Sequence, residues 1–217
     1  MAFLNRADAG RQLADTLRSR RSPTTVIVGV TNGGVPIAAE LASILDVPLD
    51  ICVVRKLVVK RPTPLTIGAV AEGGATSLDS PLMGHFAVTA SELGEVLHRE
   101  AAEVVRLAQL LRSRPPLDLR DHDVILVDDG ALTGATLRAA AFALSTRRLH
   151  SLDLAVPVGA THVVDSLRAD FDRVTCLECE PDLVAIGARY ADFPPVSEAE
   201  IITLLEVAAR GGDRLAV

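Results

Sequence analysis

The chain has no tryptophan, one tyrosine, five phenylalanines and three cysteines in 217 residues, and each shortage removes a class of explanation. Three thiols cannot form the even-numbered disulfide framework that staples small secreted domains. Cys52 lies in an apolar stretch and reads as a small buried hydrophobe. Cys176 and Cys179 form an isolated C-x-x-C without the two further ligands a zinc site needs, and read as structural. No apolar run approaches the roughly 18 residues of a membrane-crossing helix, and the first ten residues carry charges inside what would be a signal core. A cytoplasmic protein with no membrane partner is expected. Twenty-eight acidic against 22 basic residues, a net charge of −6, leave no broad basic face for nucleic acid. A nucleotide-sized ligand remains compatible. No Ser-His-Asp or Cys-His constellation emerges, and His85, His98, His122, His150 and His162 read as solvated or locally bonded side chains.

What is present is aliphatic. Apolar residues make up 49% of the chain, enough for one sizeable core, so residues 1–217 are expected to form a single domain. Strands are predicted at Thr25–Val30, Leu49–Val54, Ile67–Glu72, Val124–Val127, Leu152–Val158 and Arg173–Leu177. Helices are predicted at Val35–Leu45, Ser91–Ser113, Ala135–Thr146 and Thr161–Ala169, with a last one after Ser197. Ser91 is the expected cap of the second, and Pro115-Pro116 its stop. Such alternation implies right-handed crossovers and a mainly parallel, twisted sheet flanked by helices, an α/β fold. Ligands of such sheets bind beyond the strand carboxyl ends.

Two strand ends carry chemistry. Val124–Val127 is a short, β-branched apolar run followed by Asp128-Asp129 and the loop Gly130-Ala131-Leu132-Thr133-Gly134, then the helix opening Ala135-Thr136. Two adjacent ionised carboxylates are costly inside a protein without partners, so they should open onto a crevice. The loop leads into a helix N-terminus, where unpaired N–H groups and the helix dipole favour an anion. Carboxylates accept hydrogen bonds from sugar hydroxyls, so the segment suits a sugar phosphate. After Val26–Val30 comes a second loop, Thr31-Asn32-Gly33-Gly34, with Pro36 early in the following helix. Its glycines allow close backbone approach, although a purely structural turn reads equally well there. Arg55-Lys56 and Lys60-Arg61 add four cations in a Pro-broken stretch, the latter pair also readable as a solvated surface pair.

The segment Val124–Thr136 resembles the 5-phosphoribosyl-1-pyrophosphate (PRPP) motif of type I phosphoribosyltransferases. The resemblance continues through Val53–Leu57, Ile67–Gly74, the opening Phe3-Leu4-Asn5-Arg6-Ala7-Asp8-Ala9-Gly10-Arg11 and the closing Gly187–Phe193, where it points to a bacterial branch with a poorly defined acceptor. It implies the phosphoribosyltransferase fold, with a small hood formed from segments near the two ends. It further implies that Asp128 and Asp129 hold the ribose diol as catalytic residues, that Ala131, Leu132, Thr133, Gly134, Ala135 and Thr136 bind the 5′-phosphate, and that Gly130 belongs to the same PRPP-binding stretch. Thr31, Asn32, Gly33, Gly34, Arg55 and Lys56 fall at the pyrophosphate position, where the family's backbone is often cis. Mg²⁺ is the implied cofactor, reached by Asp128 and Asp129 through water or ribose hydroxyls.

Three departures stand out. Asn32 replaces the arginine that the most similar family enzymes carry before the paired glycines, and an amide supplies no charge for a polyanion. The loop after Lys56 lacks the pattern of the family's mobile lid. Pro181–Gly187 is aliphatic where relatives place aromatic residues that stack on a base. Tyr190 could stack instead or be a locally bonded corner residue, and both readings stay open. The implied activity is transfer of the 5-phosphoribosyl group to a nitrogenous acceptor, a nucleobase, with release of pyrophosphate. The alternative is a non-catalytic PRPP or nucleotide sensor of the same fold. A dinucleotide-dependent oxidoreductase fits poorly, because no G-x-G-x-x-G opens the first turn. An aliphatic α/β surface permits a homodimer.

Overall fold

The computed structural model describes residues 2–212. The chain begins with α1 (Arg6–Leu17), β1 (Thr25–Val30), α2 (Gly34–Leu45) and β2 (Leu49–Cys52), then forms β3 (Val54–Val59), β4 (Leu65–Ala71) and β5 (Thr76–Leu78). Helices α3 (Ser80–His85) and α4 (Ala90–Leu111) follow. The second half alternates β6 (Asp123–Val127), α5 (Ala135–Ser145), β7 (Ser151–Ala160), α6 (Thr161–Leu167) and β8 (Arg173–Glu180), and closes with α7 (Glu198–Gly212). Five strands form a parallel sheet in the order β2-β1-β6-β7-β8.

That order fixes where a ligand can sit. From β1 the chain crosses through α2 to β2 on one side, whereas from β6 it crosses through α5 to β7 on the other. The crevice between β1 and β6 is therefore the switch point of the sheet. Gly29 lies opposite Val127, so the loops after these two strands emerge side by side. Alternation along the strands splits the core between two faces. Val26, Val28, Val124 and Leu126 pack with Leu137 and Leu144 of α5, while Ile27, Ile125 and Val127 pack with Leu13 of α1 and Leu41 of α2.

Several elements depart from the sequence expectations. The apolar run expected to be one strand over Leu49–Val54 breaks at Val53, and Arg55 and Lys56 lie inside β3, which pairs antiparallel with β4. A continuous apolar run hides such a break, because a strand in either sheet is equally apolar. The antiparallel sheet β3-β4-β5 buries Leu57, Val59 and Ile67 against Val104, Leu107 and Leu111 of α4. The expected lid is thus the Lys60–Pro64 tip of a hairpin. α4 is capped by Thr89 in a full capping box with Glu92, not by Ser91, because the Thr-x-x-Glu pair satisfies two backbone donors at once. β7 and β8 run longer than expected, to Ala160 and Glu180.

A buried ionic cluster secures the break at Val53. Glu72 Oε1 accepts the Val53 N–H at 2.8 Å and Arg112 Nη2 at 2.8 Å, and Arg112 Nε donates to Asp50 Oδ1 at 3.2 Å. Only 9% of the Arg112 side chain is exposed. Truncating one member leaves buried carboxylates without a counter-ion. Arg112→Leu is expected to cost about 3–5 kcal/mol, seen as a lower urea midpoint with an unchanged slope; a midpoint equal to the parent's would refute this role.

Candidate functional site

The two loops interlock at the carboxyl ends of β1 and β6. Thr31 follows a fully buried strand, and its Oγ1 accepts the Val54 N–H at 3.0 Å, which ties the first loop to the base of the hairpin. The Thr31–Asn32 peptide is cis. A methyl group at Gly33 would stand 1.8 Å from Asp129 Oδ2, and one at Gly34 would stand 2.4 Å from the Val127 carbonyl. Only glycine permits this approach. The first loop is pressed directly against the carboxylate pair.

Asp128 is buried, and its Oδ1 accepts the Asp129 N–H at 2.8 Å. Burial and the neighbouring Asp129 charge push its carboxyl well above the usual carboxylate range. Burial likewise raises Asp129, against the opposing pull of Arg6 and Lys56. Beyond the pair, Ala131 joins the edge of β7, its N–H donating to the Val158 carbonyl at 2.9 Å and its carbonyl accepting from Ala160 at 2.8 Å. Gly134 turns the chain with a φ of 76° into α5, whose first N–H groups have no intrahelical acceptor. Thr133 stands exposed on that loop while Thr136 is half-buried. Ala131, read in the sequence as part of the phosphate loop, thus has both backbone groups engaged by β7, and the donors left for an anion lie at the start of α5.

The four expected cations separate. Lys56 acts on both carboxylates. Arg55, on the opposite face of β3, pairs with Glu100 of α4 at 3.0 Å. Arg61 grips Glu92 at 2.8 Å and the Phe86 carbonyl at 2.6 Å, which fastens the hairpin tip to the start of α4. Lys60 is exposed. Asn32 donates its side-chain N–H to the Val196 carbonyl at 3.3 Å. Tyr190 is buried and donates its hydroxyl to the Asp129 carbonyl at 2.8 Å, which is the corner-residue arrangement. The first residues meet the same region, since Phe3 bridges to Tyr190; segments near both ends of the chain thus come together beside the site.

One contact had no assigned role in the sequence. Arg6 Nη2 lies 2.9 Å from Asp129 Oδ2, with the two side chains 10% and 15% exposed. Arg6 opens α1, where the helix dipole disfavours a cation. A positive charge in that unfavourable place is the signal that it serves a partner elsewhere.

The opposite, amino-terminal edge of the sheet has a cavity of about 250 Å³ lined by Arg20, Asp123, His150, Asp153 and Arg173. There His150 has the partner that its sequence context did not show, its Nδ1 lying 2.6 Å from Asp123 Oδ1. Asp123 also accepts from Ser22, Thr24 and Ser151. Its lone pairs are spent on holding strand ends together, and no chemistry is left to it. Among the described residues no helix is long and apolar enough to cross a membrane.

The raised Asp128 carboxyl has a consequence with a definite sign. A folded-state value above the unfolded one means that stability is fully present below the unfolded range and is lost as pH rises through the folded one. Asp128→Asn is therefore expected to raise the melting temperature at pH 7, with the gain shrinking away below about pH 4. A gain equal at both pH values would contradict burial of the ionised group as its cause. Gly34→Ala, whose new methyl meets backbone rather than a side chain, should destabilise the fold by about 1–3 kcal/mol in urea titration.

Comparison with known proteins agrees with this geometry. Residues 4–192 match the phosphoribosyl transferase domain family. A Mycobacterium tuberculosis protein named among the phosphoribosyl transferases is 35% identical over 212 residues, 96% of this chain. The chain spans 47% of that relative's length. The bifunctional protein PyrR of Deinococcus radiodurans is 31% identical over 183 residues, covering 83% of this chain and 81% of PyrR. The crystal structure of TT1426 from Thermus thermophilus superposes with a TM-score of 0.76 at 32% identity, over 94% of this chain and 98% of that one. With its parallel sheet and its carboxylates at the switch point, the chain belongs to the phosphoribosyltransferase family and has the type I fold.

Proposed function

We propose that this chain binds PRPP with Mg²⁺ and transfers the 5-phosphoribosyl group to a nitrogenous acceptor of the nucleobase class, releasing pyrophosphate. The observation that carries the reading is the packing of Gly33-Gly34 against Asp128-Asp129 across adjacent strands, with one short loop leading from the carboxylates to the start of α5. In this reading the end of the loop and the first turn of α5, Leu132–Thr136, take the 5′-phosphate, the carboxylates take the ribose diol, and the backbone of Thr31–Gly34 with Lys56 faces pyrophosphate. The C1–O bond breaks as pyrophosphate leaves with the electron pair, a C1–N bond forms, and the acceptor nitrogen gives up its proton to water or to the departing pyrophosphate. The sugar is cationic in passage, so the site acts by holding it beside fixed negative charge and by orienting the acceptor.

The donor set suits a metal carried by substrate. Arg6 occupies Asp129 Oδ2 and a backbone N–H occupies Asp128 Oδ1, so one oxygen of each carboxylate remains for water or sugar hydroxyls. Among the described residues no third His, Cys, Asp or Glu completes a protein cage, in keeping with a cation that keeps several waters. When bound, Mg²⁺ would neutralise charge on the pyrophosphate.

A second reading, a PRPP or nucleotide sensor without turnover, draws on two specific features. Asn32 spends its amide on Val196, and Arg55 and Arg61 are tied to α4, so the leaving group meets less positive charge than four free cations would give. Release of pyrophosphate in the presence of PRPP, Mg²⁺ and a panel of bases separates the two. Acceptor-dependent release supports transfer, while saturable binding without release supports the sensor. Under either reading Asp128→Asn with Asp129→Asn should weaken PRPP by about tenfold or more; undiminished affinity would remove the ribose role from this pair.

A further inference from the structure

Asp129 is fixed at both ends by residues that lie outside the two loops. Its Oδ2 accepts from Arg6 Nη2 at 2.9 Å and from Nε at 3.2 Å, while its backbone carbonyl accepts the Tyr190 hydroxyl. The guanidinium is itself immobilised. Nη1 donates to the Pro194 carbonyl at 2.7 Å, and the group lies 3.7 Å above the centre of the Phe193 ring. Phe193 packs on Tyr190 with ring centroids 4.7 Å apart, and Gly187 gives it room, since a methyl there would stand 2.8 Å from the ring. Through Val196 the same segment holds Asn32 of the first loop. Residues 190–196 thus form a strap clipped to both loops, and Arg6 is the clip on the carboxylate.

We propose that Arg6 is a positioning residue for the ribose site: by placing two N–H groups on one oxygen of Asp129 it leaves Oδ1 as the single oxygen of that carboxylate presented to ligand. The inference rests on the PRPP reading given above. Two donors from one rigid plane fix the rotation of the carboxylate, which a single ammonium donor cannot do. A group fixed before the ligand arrives loses less freedom on binding. The strap gains a role as well, since its ring and carbonyl hold the guanidinium in place. Asn32, standing where an arginine is expected, secures the same strap from the other loop.

The test uses the whole chain and calorimetric titration with PRPP and Mg²⁺, beside thermal melts of each variant. Arg6→Gln is expected to lose about tenfold in PRPP affinity, and Arg6→Lys to recover part of it by keeping a cation at Asp129. Phe193→Leu keeps the ion pair but removes the stacking surface, and should cost about threefold; it also serves if Arg6→Gln does not fold. An Arg6→Gln protein that melts earlier yet binds PRPP as tightly as the parent would mean a purely structural ion pair and overturn the inference alone. A parent that takes up no PRPP overturns both the inference and the reading beneath it.

Discussion

Everything at this site depends on two carboxylates being held against a glycine backbone. Asp128 and Asp129 stand at the end of a strand buried on both faces, with Gly33 and Gly34 close enough that no side chain fits between. Burial makes their charge expensive, and Arg6 and Lys56 offset only part of it. A fold selected for stability alone would place amides or apolar residues there. In the proposed reading that cost is accepted because fixed negative charge acts on the sugar, and the neighbouring elements supply close backbone, a nearby cation and a helix start.

The surrounding architecture meets those demands with few parts. Adjacent strands whose crossovers run to opposite sides open the crevice. The hairpin sheet is anchored to the first loop by Thr31 and to the main sheet by the Arg112 cluster, while Arg61 pins its tip to α4. The strap at residues 190–196 reaches both loops. The carboxylate pair is thus bordered by elements that contact one another through hydrogen bonds as well as packing.

Much of this was legible in the sequence because the information is local. The run Val124–Val127 with its acidic end, the loop to Gly134 and the helix from Ala135 are contiguous, and their residue types dictate strand, turn and helix in order. The break at Val53 was not legible, since Ile51–Val54 is apolar throughout and fits one strand as well as the adjoining ends of two in different sheets. Capping by Thr89 rather than Ser91 turned on which hydroxyl had Glu92 three residues ahead. Arg6 and Asp129 are 123 residues apart, and no periodicity joins them. Arg55 faces α4 rather than the site because of strand parity, which follows from β3 pairing with β4 from Val54 onward. Tyr190 was ambiguous for a related reason: whether its hydroxyl finds a carbonyl or its ring finds a ligand is decided by tertiary contact.

The most direct test of the account is a crystal structure of the chain with PRPP and Mg²⁺. The ribose hydroxyls are predicted within about 3.2 Å of the Asp128 and Asp129 carboxylates, the 5′-phosphate at the first turn of α5, and the Arg6–Asp129 pair intact. Ligand held elsewhere, such as the cavity at the amino-terminal edge of the sheet, or carboxylates left untouched beside bound PRPP, would contradict it.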